Sequence, residues 1–139
     1  MGFLDEAMSE DYTEPTAVPG DTEYKLRIVD VKVDPSTPDG LPRDKNGNAY
    51  LMPRFEILNE PTAKEFGRYM AVPNADMDAK KRNSCGFSIK QFFSAFDLDS
   101  ASLNDPLDMV GSEGWAILGL EDNEQYGEQN YVKKFIVAK

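Results

Sequence analysis

Residues 111–139 read GSEGWAILGLEDNEQYGEQNYVKKFIVAK, and the fold of the whole chain turns on this stretch. Trp115 to Leu120 is an apolar run bounded by glycine, while Tyr131 to Ala138 is mostly aromatic, β-branched or basic. The polar segment between them, Glu121 to Gln129, holds Asn123, Tyr126 and Gly127. Two strand-like runs around such a segment predict a long β-hairpin with a flexible tip longer than the tightest turns. Trp115, Ile117 and Phe135 are expected to serve the core of that hairpin. Tyr126 on the tip and Lys133 on the returning strand are expected to face outward.

The segments upstream supply the partners such a hairpin needs. From Glu23, Tyr24, Leu26 and Ile28 alternate with Lys25 and Arg27, a period of two that marks a strand with one buried face. Asp30 interrupts this series, and Val29, Val31 and Val33 take over the apolar role, which predicts a bulge or sharp bend near Asp30. Pro35 to Ala49 is loop chemistry, with three prolines, Pro-Asp-Gly and Asn-Gly. Tyr50 to Asn59 reads as a second strand that Pro53 breaks or confines to an edge. Gly67 to Val72 reads as a short third strand, stopped by Pro73. Over residues 74–97 the period changes: Cys85, Ile89, Phe92 and Phe96 share one face of a helix, capped by Ser84, Asp76 or Asp78.

Three strands, a helix and a closing hairpin predict a mainly β protein. The closure that suits this order is a five-stranded barrel of the oligonucleotide/oligosaccharide-binding (OB) type, with one helix between the third and fourth strands. An open α+β sandwich is the rival arrangement. The barrel is expected to occupy residues 22–139. Residues 1–21, which hold six acids and no Lys or Arg, are expected to form an acidic, disordered tail.

Composition removes several functions. The chain has no histidine and a single cysteine, Cys85, so histidine-dependent triads, most zinc sites and an internal disulfide are excluded. No P-loop, dinucleotide fingerprint or EF-hand spacing is present, and a non-enzymatic protein with no catalytic residues, no cofactor and no metal is expected. No apolar run reaches membrane-spanning length, no signal peptide is expected, and the lone cysteine fits a reducing cytoplasm. The net charge of −10 sits unevenly: residues 1–23 hold seven acids and no basic residue, and removing those seven from 25 leaves 18 against all 15 basic residues.

In a barrel of this type, oligomers lie across the second and third strands between the first and last loops. Those regions hold Arg43, Lys45, Tyr50, Arg54, Arg68, Tyr69 and Tyr126, and the outer strands add Lys25, Arg27, Tyr131 and Lys133. Cations along a backbone path, with flat rings for bases, are what single-stranded nucleic acid requires. A protein-interaction module without nucleic-acid binding, and a structural phage component, are the alternatives of other classes.

The residues also carry a resemblance. Glu23-Tyr24-Lys25-Leu26-Arg27-Ile28, Gly47-Asn48-Ala49-Tyr50-Leu51 and Gly67-Arg68-Tyr69 are similar to segments of small phage-encoded OB-fold proteins that bind single-stranded DNA. The helix segment Ile89-Lys90-Gln91-Phe92-Phe93 and the hairpin from Gln125 to Phe135 resemble the same family. The likeness covers roughly residues 22–138. It implies a protein that coats or protects single strands, with little sequence preference, during phage DNA replication or recombination in the host cytoplasm. It also implies replication or recombination proteins as partners, reached through the acidic tail. That segment lies at the opposite end from the acidic C-terminal tail of many single-strand-binding proteins.

Overall fold

The computed structural model describes residues 2–9 and 11–137. The first strand, β1 (Thr22–Val31), forms where the sequence alternates, and it buries Leu26, Ile28 and Val31. Its register against the next long strand shifts between Ile28, opposite Phe55, and Asp30, opposite Arg54. Val29 is therefore the extra residue of a bulge, and the inward set passes from even to odd positions at that point. The strand expected over Tyr50–Asn59 is interrupted at Met52 into β2 (Tyr50–Leu51) and β3 (Pro53–Ile57). The third strand is likewise split, into β4 (Phe66–Gly67) and β5 (Met70–Ala71).

One α-helix is present among the described residues, α1 (Ala79–Ala95), between β5 and the hairpin in chain order. Asp78 caps it by accepting a hydrogen bond from the Lys81 backbone N–H at 2.8 Å. The helix buries Phe92 and Ala95, with Phe96 just beyond its last turn, against the barrel interior. The hairpin consists of β6 (Glu113–Asn123) and β7 (Gly127–Ile136). Gly114 lets β6 pass under the end of the helix, since a Cβ there would lie 2.6 Å from the Ala95 carbonyl oxygen.

The long strands form a sheet in the order β4-β3-β1-β6-β7, and β2 pairs with β5 in a separate ribbon. The two ends of the larger sheet, β4 and β7, come together, so it curls into a nearly closed five-stranded barrel. Arg68 spans the remaining seam. Its Nη1 donates to the Val132 carbonyl at 2.8 Å and its Nη2 to Ser88 Oγ at 3.3 Å, tying β7 and α1 to the end of β4. Inside the barrel Phe55 has the rings of Phe66, Phe92, Phe96 and Phe135 around it at centroid distances of 5.5–6.3 Å.

Three expectations change. The hairpin tip is shorter than Glu121–Gln129, because pairing continues to Asn123 opposite Gly127. Asn123 Oδ1 accepts from the backbone N–H groups of Gln125 and Tyr126, and Gly127 takes φ +74°, which together close a three-residue turn. Trp115 and Ile117 are not in the core. The inward positions of β6 are Gly114, Ala116 and Leu118, which leaves the Trp115 ring on the outer surface, 47% exposed.

Residues 16–20, grouped with the tail by composition, pack on the barrel. Thr16 bridges to Ala63, and Val18 is buried with its N–H donating to Asn130 Oδ1 at 2.8 Å. Asn130 Nδ2 in turn donates to the carbonyls of Val18 and Gly119. Farther out, Ala7–Ser9 form a single 3-10 turn, and its Met8 is exposed, as are Phe3 and Leu4 before it.

Candidate nucleic-acid interface

The outward residues of β2 and β3 continue one another as Tyr50, Met52, Arg54 and Glu56, because Leu51, Pro53, Phe55 and Ile57 point into the core. At one end of this row, Tyr50 and Tyr69 pack with ring centroids 4.8 Å apart. Tyr50 is covered by this contact and by Lys32, whose Nζ lies 5.6 Å from its ring centre, while Tyr69 is 52% exposed. Partial burial, followed by the nearby Asp44 carboxylate, raises the Tyr69 hydroxyl pKa, so the ring stays neutral at physiological pH. The loop that closes over this end carries Lys45 on its exposed tip, and the Tyr50 N–H donates to the Pro42 carbonyl of the same loop.

At the other end of the row, Arg54, Lys64, Tyr126, Glu65, Glu14 and Pro15 line an open cleft of about 750 Å³. Lys64 Nζ holds the hairpin tip by donating to the carbonyls of Tyr126 and Glu128, each at 3.0 Å. The Tyr126 ring is 59% exposed beside it. The segment anchored by Thr16 and Val18 thus brings the acidic Glu14 to the same cleft as Arg54 and Lys64. A separate apolar cleft of about 400 Å³, lined by Leu51, Ile89, Phe93 and Met109 among others, holds none of the predicted residues.

The eleven predicted residues divide between two surfaces and the barrel seam. Lys45, Tyr50, Arg54, Tyr69 and Tyr126 share the face just described. Lys25, Arg27, Tyr131 and Lys133 lie on the outer side of β1 and β7. Arg43 is turned into its own loop, where its guanidinium meets Asp39 at 3.1 Å and the Leu41 carbonyl at 2.8 Å. That guanidinium holds the Asp39 carboxyl below the usual carboxylate range. Arg68 faces inward: burial lowers its pKa, and its guanidinium carbon sits 5.3 Å from the centre of the Phe135 ring.

Most of the expected phosphate-binding cations already have a carboxylate. Lys25 pairs with Glu113 at 3.3 Å, Arg27 with Glu56, Arg54 with Glu65 at 3.0 Å, and Lys133 with Asp21 at 2.5 Å. The bond from Lys133 to Asp21 raises the lysine pKa. On the face of β2 and β3, Lys32, Lys45 and Lys64 have no carboxylate within ion-pair distance among the described residues, and Lys32 and Lys64 lie outside the predicted set. Lys32 lies three residues past the bulge and Lys64 stands next to Glu65 in a connection, so charge alone singles out neither.

Among the described residues no group of three or more Cys, Asp or Glu side chains is arranged to hold a metal ion, and no helix is long and apolar enough to cross a membrane. Comparison of the chain with protein-family models and with curated proteins finds no match in either.

Proposed function

We propose that the protein is an OB-fold, sequence-independent single-stranded DNA-binding protein, non-enzymatic, that coats or protects single strands during phage DNA replication or recombination. Counting β2 with β3 and β4 with β5 as two interrupted strands, the sheet order corresponds to third-second-first-fourth-fifth, the order an OB barrel uses. The observation that carries the functional reading is the exposed Tyr69 ring backed by Tyr50, with Lys32 and Lys45 beside it and Lys64 and Tyr126 at the far end of the same row.

The mechanism follows from this spacing. Bases stack on Tyr69 and Tyr126, and the phosphates pass Lys45, Lys32 and Lys64. Arg54 joins when a phosphate replaces Glu65, an exchange of small cost because an exposed ion pair contributes only about 0–1 kcal/mol. Stacking on an aromatic side chain is worth about 1–3 kcal/mol per base, so Tyr69→Ala should weaken binding of a fluorescein-labelled oligo-dT by roughly tenfold. Anisotropy titration at low salt reads this. A wild-type chain that does not bind refutes the function, and a Tyr69→Ala variant that binds equally well removes this face from it.

The acidic segment acts against the same ligand. Glu14 lines the cleft of Arg54 and Lys64, so residues 2–14 add negative charge where a phosphate would lie. Deleting residues 2–14, which keeps the Thr16 and Val18 anchors, should tighten oligo-dT binding several-fold at low salt. The gain should shrink as salt screens the charge. Unchanged or weaker affinity at low salt would contradict this role. The carboxylate partners of five predicted cations favour one other reading, a protein-interaction module with a polypeptide ligand. Loss of all oligonucleotide binding would leave that reading in place.

A further inference from the structure

We infer that the outer face of β1, β6 and β7 is a second contact track for the same single strand, with Trp115 as its stacking platform. This inference rests on the single-strand-binding reading and extends it. Pairing across the sheet sets Lys25, Trp115 and Ile136 side by side in one row. The next outward row is Glu23, Ile117 and Lys134. Beyond it the register of β7 slips by one residue, so Lys133 is the extra residue of a bulge and reaches Asp21. Past the bulge Tyr131 stands opposite Gly119, whose missing side chain makes room for the ring: a Cβ there would lie 2.3–2.6 Å from the tyrosine ring and hydroxyl.

Two rings therefore mark one face, four residues of strand apart, or about 13 Å. Lys25, Lys133 and Lys134 lie between and beside them. The acids of this face are Asp21, Glu23, Glu113 and Glu121, and two of them form the exposed pairs Lys25–Glu113 and Lys133–Asp21. Such pairs contribute about 0–1 kcal/mol, so a phosphate displaces the carboxylate at little cost. A single exposed apolar side chain is unremarkable in itself. Here an indole sits in the middle of a lysine-flanked row and shares its face with a second ring.

The track is continuous with the first. β1 lies between β3 and β6, and Arg27 pairs across to Glu56 on one side and stands opposite Glu113 on the other. Arg54 on β3 stands opposite Asp30 of β1, so a strand that leaves Arg54 passes Glu56 to reach Arg27, then Lys25 and Trp115. The outer wall of a barrel is convex, and a flexible single strand follows a convex surface. A second copy of the same wall would touch it over a small area only.

Trp115 is the only tryptophan in the chain, so its emission reports on this site alone. Binding is followed by anisotropy of labelled oligo-dT, and stacking by Trp115 emission with unlabelled oligo-dT, each for a short and a long oligomer. The long oligomer should quench Trp115 in proportion to occupancy, and Trp115→Ala should weaken its binding roughly tenfold. Trp115→Phe should recover part of the loss, and the short oligomer should be less affected. Binding with unchanged emission and an unaffected Trp115→Ala variant overturns this inference while the proposed function stands. No binding by either readout overturns both. An emission shift that follows protein concentration and ignores oligo-dT assigns the face to self-association and overturns the inference as well.

Discussion

Replacing Phe55 by alanine should cost about 3–5 kcal/mol of stability, the largest loss expected from any single substitution in the barrel. Phe55 is fully buried at the centre of β3, and four other phenylalanine rings surround it. Those rings come from β4, the helix and its C-terminal end, and β7, so the cavity left by the truncation opens where every layer of the fold meets. Aromatic pairs add to the burial term, by about 0.5–1.5 kcal/mol each. A domain of this size has only about 5–15 kcal/mol in total, so the variant should unfold at much lower denaturant. Urea denaturation followed by circular dichroism measures the change. A loss below about 1 kcal/mol would mean that the aromatic cluster does not hold the barrel together.

The second large effect is expected at Asn130. Its amide is buried on β7 and makes three hydrogen bonds, one from the Val18 N–H and two to the carbonyls of Val18 and Gly119. Leucine has a similar volume and no polar atoms, so Asn130→Leu removes the side-chain partner of all three backbone groups. Each such group costs about 1–3 kcal/mol if it stays buried. The chain can avoid part of that cost by releasing residues 16–20 to water, which exposes Val18 instead. We expect a net loss of about 2–4 kcal/mol and a newly cleavable N-terminal segment. Limited proteolysis at native pH, read by mass spectrometry, distinguishes release from simple destabilisation. Protection of residues 16–20 equal to that in the parent chain would contradict the anchoring role.

Much of the fold was readable because each signal was local. The swap of apolar phase at Asp30 located the bulge of β1, the face Cys85-Ile89-Phe92-Phe96 located α1, and Asp78 stood where a cap was expected. The hairpin tip is shorter than the sequence predicts because Glu121–Asn123 and Gly127–Gln129 are polar, and polarity alone does not separate a loop from a strand wet on both faces. They are paired strand residues that project beyond the barrel, where both faces meet water. Trp115 was misplaced for a different reason. Trp115 and Ile117 are apolar on one phase, Ala116 and Leu118 on the other, so a period of two cannot choose between them. The close approach of the helix end to Gly114 decides it.

The candidate site was less legible than the fold. Side-chain type located the cations and the tyrosines, but whether a cation is free depends on partners that meet only in the folded chain. Lys25 meets Glu113 across β1 and β6, and Lys133 meets Asp21 next to the packed N-terminal segment. Arg68 has the same chemistry as Arg54 in sequence, yet one closes the barrel and the other lines the cleft. Val18 could not be identified as a core residue, since its partner Asn130 is 112 positions away.

The salt dependence of oligo-dT binding tests the central claim most directly. Each phosphate neutralised on a single strand contributes a slope of about −0.7 to the plot of log affinity against log salt. For a short oligo-dT that reaches only the face of β2 and β3, Lys32, Lys45 and Lys64 have no carboxylate to release and Arg54 joins by releasing Glu65, so the expected result is clear binding at low salt with a slope of about −3. A slope near −5 with that short oligomer would mean about seven neutralised phosphates, more than the cations of this face can supply, and would contradict the assignment of the site. No binding at low salt would contradict the account as a whole.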